Sequence, residues 1–207
     1  MRQPIRGTSD HLGIHAGPLV HDVQVTDPLA FAEYLPGLSV THEPEPEPVE
    51  VRVATPDDDE DLGRLVAGTS DAPRLTARLR ADIVDPDRAV LVAQDRASGR
   101  VLGYGRAGFR TPPDSAPPNV VPAGWYLLGL VVDPRERRRG IGTELTAART
   151  RWIWERADEA WFFANARNLV SLELHARLGY REVTRDLWVP GVTFAGGVGV
   201  LCCATPP

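Results

Sequence analysis

Trp125-Tyr126-Leu127-Leu128-Gly129-Leu130-Val131-Val132-Asp133-Pro134-Arg135-Glu136-Arg137-Arg138-Arg139-Gly140-Ile141-Gly142 is the most informative stretch of this chain. It opens with a near-continuous apolar run that ends at a proline, the composition of a central strand buried on both faces. Beyond the arginines, apolar residues recur at Ile141, Leu145, Ala148 and Trp152, the spacing of an amphipathic helix. The order is strand, Arg/Gly loop, helix. Arg137, Arg138 and Arg139 would face the positive end of that helix's dipole, and Gly140 and Gly142 lower its helix propensity. An anion reverses both penalties. Glycines let a ligand approach the backbone, first-turn amides point at it and arginines neutralise it, so the loop is expected to hold a phosphate or pyrophosphate. A P-loop needs a lysine before Ser/Thr, and a dinucleotide fingerprint needs Gly-x-Gly-x-x-Gly directly after the strand; neither pattern occurs here.

Elements alternate on both sides of this stretch. Upstream, Val51-Arg52-Val53-Ala54 alternates like a half-buried strand. Thr55-Pro56-Asp57-Asp58-Asp59-Glu60 supplies an N-cap, a first-turn proline and acids suited to a helix N-terminus, leading into Leu62, Leu65 and Val66. A second helix is expected over about residues 73–83. A hairpin comes next, with strands at 89–93 and 101–109 around the turn Asp95-Arg96-Ala97-Ser98-Gly99, and then a proline-rich surface loop at 111–118 that could border a substrate pocket. Downstream, Ala160-Trp161-Phe162-Phe163-Ala164 reads as a strand. Asn168 reads as the N-cap of a helix with an apolar face of Leu172, Leu174 and Leu178, ended by Gly179. The order β-α-α-β-β-β-α-β-α-β-β emerges.

The chain has 207 residues, 43% hydrophobic and 25% charged, a soluble globular composition. No stretch approaches the roughly 20 apolar residues of a membrane helix, and the N-terminus lacks a secretory signal, so no membrane partner is expected and the expected address is cytoplasmic. The first fifty residues hold two arginines against eight acids, and the remainder is nearly neutral, which argues against nucleic acid as a partner. All 23 basic residues are arginine, which excludes a lysine Schiff base or a lysine phosphate clamp. Adjacent Cys202 and Cys203 give neither an unstrained disulfide nor a metal-ligand spacing and receive no catalytic role.

Three parts are delimited: an N-terminal extension of unknown role over 1–40, a Glu/Pro linker over 41–50 containing Glu43-Pro44-Glu45-Pro46-Glu47-Pro48, and an α/β domain over 51–207. The extension carries His11, His15 and His21, and His42 lies in the linker. With weak helical periodicity and no cysteine or clustered acid nearby, it reads as a surface arm or packing strap rather than a zinc site, and no metal is expected.

Arg137-Arg138-Arg139-Gly140-Ile141-Gly142 resembles the Arg/Gln-x-x-Gly-x-Gly/Ala pyrophosphate loop of the GNAT superfamily of acyl-CoA-dependent N-acetyltransferases. Leu130, Val132 and Pro134 match the apolar-x-Val-x-Pro pattern of its preceding strand. Asn165 to Tyr180 is similar to that family's Asn-x-x-Ala/Ser helix ending in Leu-Gly-Phe/Tyr. The resemblance covers about residues 51–205. It implies an α/β fold with a mixed sheet of about six or seven strands and about four helices, and acetyl-CoA as acyl donor co-substrate. It also implies direct attack of a primary amine, on a small molecule or peptide, on the thioester.

The resemblance assigns the pantetheine arm to the backbone of Leu130, Val131 and Val132. It assigns the pyrophosphate to Arg137, Arg138, Arg139, Gly140, Ile141 and Gly142, the pantetheine end to Asn168, and the oxyanion to an amide near Val132. Where the family commonly has a tyrosine acting as general acid on the CoA thiolate, this chain has His175, whose imidazole could donate the proton near neutrality. The family's strand glutamate is missing; Tyr126, a water chain or an acid from elsewhere is left to act as base, and none is assigned. Trp125, Trp188 and Phe194 could line the acceptor pocket. The family's frequent dimers favour a homodimer. The rival readings are a degenerate domain that binds acyl-CoA without turnover, or one that binds a partner protein through its extension.

Overall fold

In the computed structural model the described residues are 49–207; the expectations for the extension and for linker residues up to 48 lie outside them. The first strand, β1 (Val49–Val53), begins inside the stretch read as linker, where the Glu/Pro alternation gives way to alternating valines. Then come α1 (Asp59–Val66), α2 (Ala72–Val84), β2 (Arg88–Asp95), β3 (Val101–Arg110), β4 (Gly124–Val132), α3 (Ile141–Trp154), β5 (Ala160–Asn165), α4 (Leu169–Arg177), β6 (Arg181–Thr184) and β7 (Gly199–Ala204). This is the order the sequence predicts.

The seven strands form one sheet in the order β1-β2-β3-β4-β5-β7-β6, in which only β4 and β5 run parallel. Helices α1 and α2 lie on one face, where Leu62, Val66, Leu75 and Leu79 pack on Val90, Val92, Val101 and Tyr104. Helix α3 covers the other, with Ile141 and Leu145 against Ala89, Leu91, Ala93 and Leu102. A further cluster of Val121, Tyr126, Phe163, Val189 and Leu201 is closed by Leu187, Val192 and Phe194, which belong to loop segments instead of a helix.

Local signals explain the ends of the elements. Asp58 closes the first turn after Thr55, accepting the Thr55 N–H at 2.8 Å, and its carboxylate also takes both terminal nitrogens of Arg52 at 2.8 and 2.7 Å. Those donors hold the Asp58 carboxyl below its usual range. Asn168 caps α4 by accepting the Ser171 N–H at 3.2 Å, and Gly179, at φ +89°, ends it, with Tyr180 N–H returning to the His175 carbonyl at 3.1 Å. Cys202 and Cys203 sit side by side on β7, where successive side chains point to opposite faces; both are free thiols that burial pushes up to about 11.

One ion pair lies inside the α2 face. Arg106 on β3 is 2% exposed and pairs with the buried Asp82 of α2, with Arg88 Nε a further 3.6 Å from that carboxylate. Removing one member strands a buried charge, whereas apolar residues of similar volume avoid desolvating either. Asp82→Ala is therefore expected to lower stability by about 3–5 kcal/mol in denaturant unfolding, and Asp82→Leu combined with Arg106→Met to recover most of that loss.

Candidate active site

The sheet opens between its two parallel strands. β4 pairs with β5 only at Trp125–Ala160 and Tyr126–Trp161, while β5 stays paired with β7 along its whole length, from Ala160–Ala204 to Asn165–Gly199. Among the described residues, β4 from Leu127 onward therefore has a strand neighbour only on its β3 side. Asp133 N–H donates to the Leu102 carbonyl at 2.8 Å, and peptide directions alternate along a strand. The peptide groups of Val131 thus face β3, and those of Leu130 and Val132 face the edge that β5 has left. Of the three residues expected to offer backbone to a ligand, Leu130 and Val132 turn their peptide groups to that open edge. Val131 does not: its backbone is turned to β3, and its side chain packs with the α1/α2 cluster.

The loop expected to hold an anion lies between β4 and α3. Arg138 has φ +65°, and is the only residue other than glycine with positive φ among the described residues; Gly140, at φ +78°, comes two positions later. A bulky side chain in that region carries strain, and such strain concentrates at functional loops. Gly140 is the N-cap of α3 and has no side chain to cap it. Thr143 N–H and Glu144 N–H both turn back to its carbonyl, at 2.9 and 3.0 Å, so the amides of Ile141 and Gly142 remain at the helix's open end.

The three arginines divide. Arg137 and Arg138 are exposed, whereas Arg139 is half-buried and paired with Glu136, a buried carboxylate that also takes Arg100. Glu136 belongs to a single turn, Pro134–Glu136, capped by Asp133, which accepts the Arg135 N–H at 3.0 Å. Arg139 thus fixes the loop to the body of the domain, and sequence spacing alone did not separate it from its two neighbours. Asn168, as the α4 cap, spends its side-chain oxygen on the helix and keeps its Nδ2 for other contacts.

His175 requires a correction. It is 3% exposed, its ring stacks on Phe162 with centroids 3.5 Å apart, and Tyr180 meets it edge-on at 5.2 Å. Nδ1 lies 2.7 Å from the Ser171 carbonyl, an acceptor only, so the ring proton sits on Nδ1. Nε2 is buried without a partner. Burial, offset in part by the Ser171 carbonyl and reinforced by the nearby Arg149 charge, pulls the imidazole down to about 3. Near neutral pH the ring carries no proton at Nε2, so the expected role as general acid does not survive this placement.

Tyr126 is spent in the same way: fully buried, its hydroxyl donates to the Pro122 carbonyl at 2.7 Å, and burial raises it above the usual phenol range. Trp125 packs edge-on between Phe109 and Trp152, both at 5.4 Å, in the α3-side core. Trp188 is exposed, whereas Phe194 is half-buried, edge-on to Phe163 at 6.3 Å, and closes the loop-covered cluster on the α1/α2 side of the sheet.

The model of the acetyltransferase (GNAT) family matches residues 56–180, and the chain belongs to that family of enzymes. Among solved structures it is similar to a ribosomal-protein-alanine N-acetyltransferase from Brucella melitensis, at 22% identity and TM-score 0.55, with 76% of this chain and 99% of that one covered. It is also similar to PaiA N-acetyltransferase from Thermoplasma acidophilum in complex with coenzyme A, at 15% identity and TM-score 0.53, with 77% and 99% covered. An aminoglycoside antibiotic 6′-N-acetyltransferase from Acinetobacter haemolyticus matches at 19% identity and TM-score 0.53, with 67% and 95% covered. No curated protein sequence matches. Among the described residues no helix is long and apolar enough to cross a membrane.

A histidine ordinarily near 6.5 and held near 3 when folded ties stability to pH. Between those values the unfolded chain binds the extra proton, so the stabilisation is complete above about 6.5 and is lost as pH falls toward 3. Replacing His175 with phenylalanine is expected to remove up to one proton, about 1.4 kcal/mol per pH unit, from the slope of unfolding free energy across this window. Denaturant titrations at pH 4, 5 and 6 on both proteins measure it, and acetyl transfer at neutral pH should change by less than about threefold, a rate effect under 1 kcal/mol.

Proposed function

We propose that this enzyme moves the acetyl group of acetyl-CoA to a primary amine on a small molecule or peptide by direct attack. The single observation that carries this reading is the loss of β4–β5 pairing after Tyr126–Trp161, which leaves two backbone positions of β4 facing a slot. The loop with left-handed Arg138 and Gly140 stands at the same end of β4 and supports it. Acetyl-CoA supplies an activated thioester; the chain's residues supply place and polarity.

Leu130 and Val132 would bond the amides of the pantetheine arm as a missing strand would. The amides of Ile141 and Gly142, with Gly140 giving the backbone its turn, would take the pyrophosphate at the helix N-terminus, and Arg137 and Arg138 would neutralise it. Arg139, held by Glu136, would keep that loop in place. Asn168 Nδ2 would donate to the arm, and Val132 N–H would polarise the acetyl carbonyl where negative charge develops. With His175 and Tyr126 both engaged in the core, the amine would attack in its neutral form; the C–N bond forms as the C–S bond breaks, CoA leaves as a thiolate that solvent protonates, and the proton lost by the amine passes to water or to an acid from elsewhere. That chemistry moves the pH optimum modestly toward the alkaline side.

The titration of acetyl-CoA into the full chain tests the reading. Micromolar binding is expected, weakened at least tenfold in Arg137→Ala and abolished in Gly142→Glu, with thiol release when amines are then supplied. Absence of binding by the intact protein at millimolar acetyl-CoA would overturn the assignment.

A further inference from the structure

α3 carries one charged residue that its amphipathic pattern does not explain. Arg149 is 1% exposed, and among the described residues no carboxylate pairs with it. All its partners are neutral oxygens. Nε donates to the Leu145 carbonyl at 3.1 Å, Nη2 to Thr146 Oγ1 at 3.0 Å, and Nη1 to the carbonyls of Leu128 at 2.9 Å and Arg106 at 3.2 Å. Desolvation pulls the guanidinium down only to about 10, so it stays charged at neutral pH.

The last two acceptors identify what the charge does. Gly105 pairs with Leu130 and Ala107 with Leu127, so between them Arg106 of β3 stands opposite both Leu128 and Gly129 of β4: a bulge with its extra residue on β4. It lies just beyond the last β4–β5 pair, Tyr126–Trp161. Arg149 Nη1 therefore bonds one carbonyl from each strand across the point where β4 bends away. Room for it comes from a glycine: a Cβ on Gly105 would lie 2.6 Å from Arg149 Nε. A second chain of bonds runs from Nη2 through Thr146 Oγ1, which donates to the Gly142 carbonyl at 2.7 Å, the first turn beneath the Arg/Gly loop. An apolar side chain of equal length would avoid desolvating a cation, but would leave both bulge carbonyls without this donor.

We infer that Arg149 is a positioning residue of the cofactor slot: it clamps the β4 bulge, and thereby the direction in which Leu130 and Val132 present their peptide groups. This rests on the reading of the slot as the pantetheine site. The clamp bonds the strands directly and touches the loop side only through Thr146, whose own bond to the Gly142 carbonyl does not need Arg149, so its loss separates two parts of one ligand. In Arg149→Met the affinity for CoA is expected to fall at least tenfold. The affinity for adenosine 3′-phosphate 5′-diphosphate, which keeps the pyrophosphate and lacks pantetheine, should stay within twofold.

Arg149→Lys, which retains charge but not the fork, should show a smaller difference of the same sign. Gly105→Ala, which pushes on the guanidinium and leaves its charge, reads the same difference if Arg149→Met does not fold. Equal weakening of both ligands would reduce Arg149 to a packing residue and overturn the inference, as would unchanged CoA binding in a folded variant. Failure of the unmodified protein to bind either ligand would instead overturn the assignment of the slot itself, and this inference with it.

Discussion

Two parallel strands that stop pairing after two residues govern the rest of this molecule. A sheet edge exposed inside a domain is costly unless something satisfies its peptide groups, and here the open edge of β4 is flanked by half-buried side chains and ends at a helix N-terminus without a cap. Among the described residues, the strand's open edge and the helix's uncapped start lie at the same end of β4. A ligand that combines amides with a pyrophosphate answers both, which is why the cofactor reading and the sheet defect are one observation.

Keeping that opening in a fixed shape accounts for the polar groups within the domain. Asp133 and Glu136 hold the turn below the loop, and Glu136 gathers Arg100 and Arg139, so that of the three consecutive arginines only Arg137 and Arg138 project as exposed charges. Arg149 reaches the bulge from one face of the sheet; Arg106, paired with Asp82, occupies the other. Tyr180 and Thr150 share a hydrogen bond of 2.9 Å behind the same region, and burial raises that phenol to about 12. Asp82, Arg106, Arg149, Thr150 and Tyr180 are buried with partners and serve geometry.

The element order, both helix caps of α4 and the loop were legible in the residues because each rests on a local rule. Glycine at a left-handed turn, asparagine before a helix and proline after a strand act within a few residues of themselves. The roles of His175, Tyr126 and Arg139 were not legible, since each depends on what lies across the fold: Phe162 under the imidazole, the Pro122 carbonyl at the phenol, Glu136 at the guanidinium. Arg149 left no mark in the pattern at all, because a helix position that is apolar by period can hold a cation only when Gly105 on a distant strand makes space for it.

Sequence by itself determined the β-α alternation, the position of the Arg/Gly loop and the family, for these rest on periodicity and on spacings along the chain. Tertiary structure decided where β5 parts from β4, that Leu130 and Val132 but not Val131 face the gap, and which ionisable groups keep a usable proton. Strand register and burial are set by partners far apart in the chain, and a side chain's protonation depends on its surroundings and not on its identity alone.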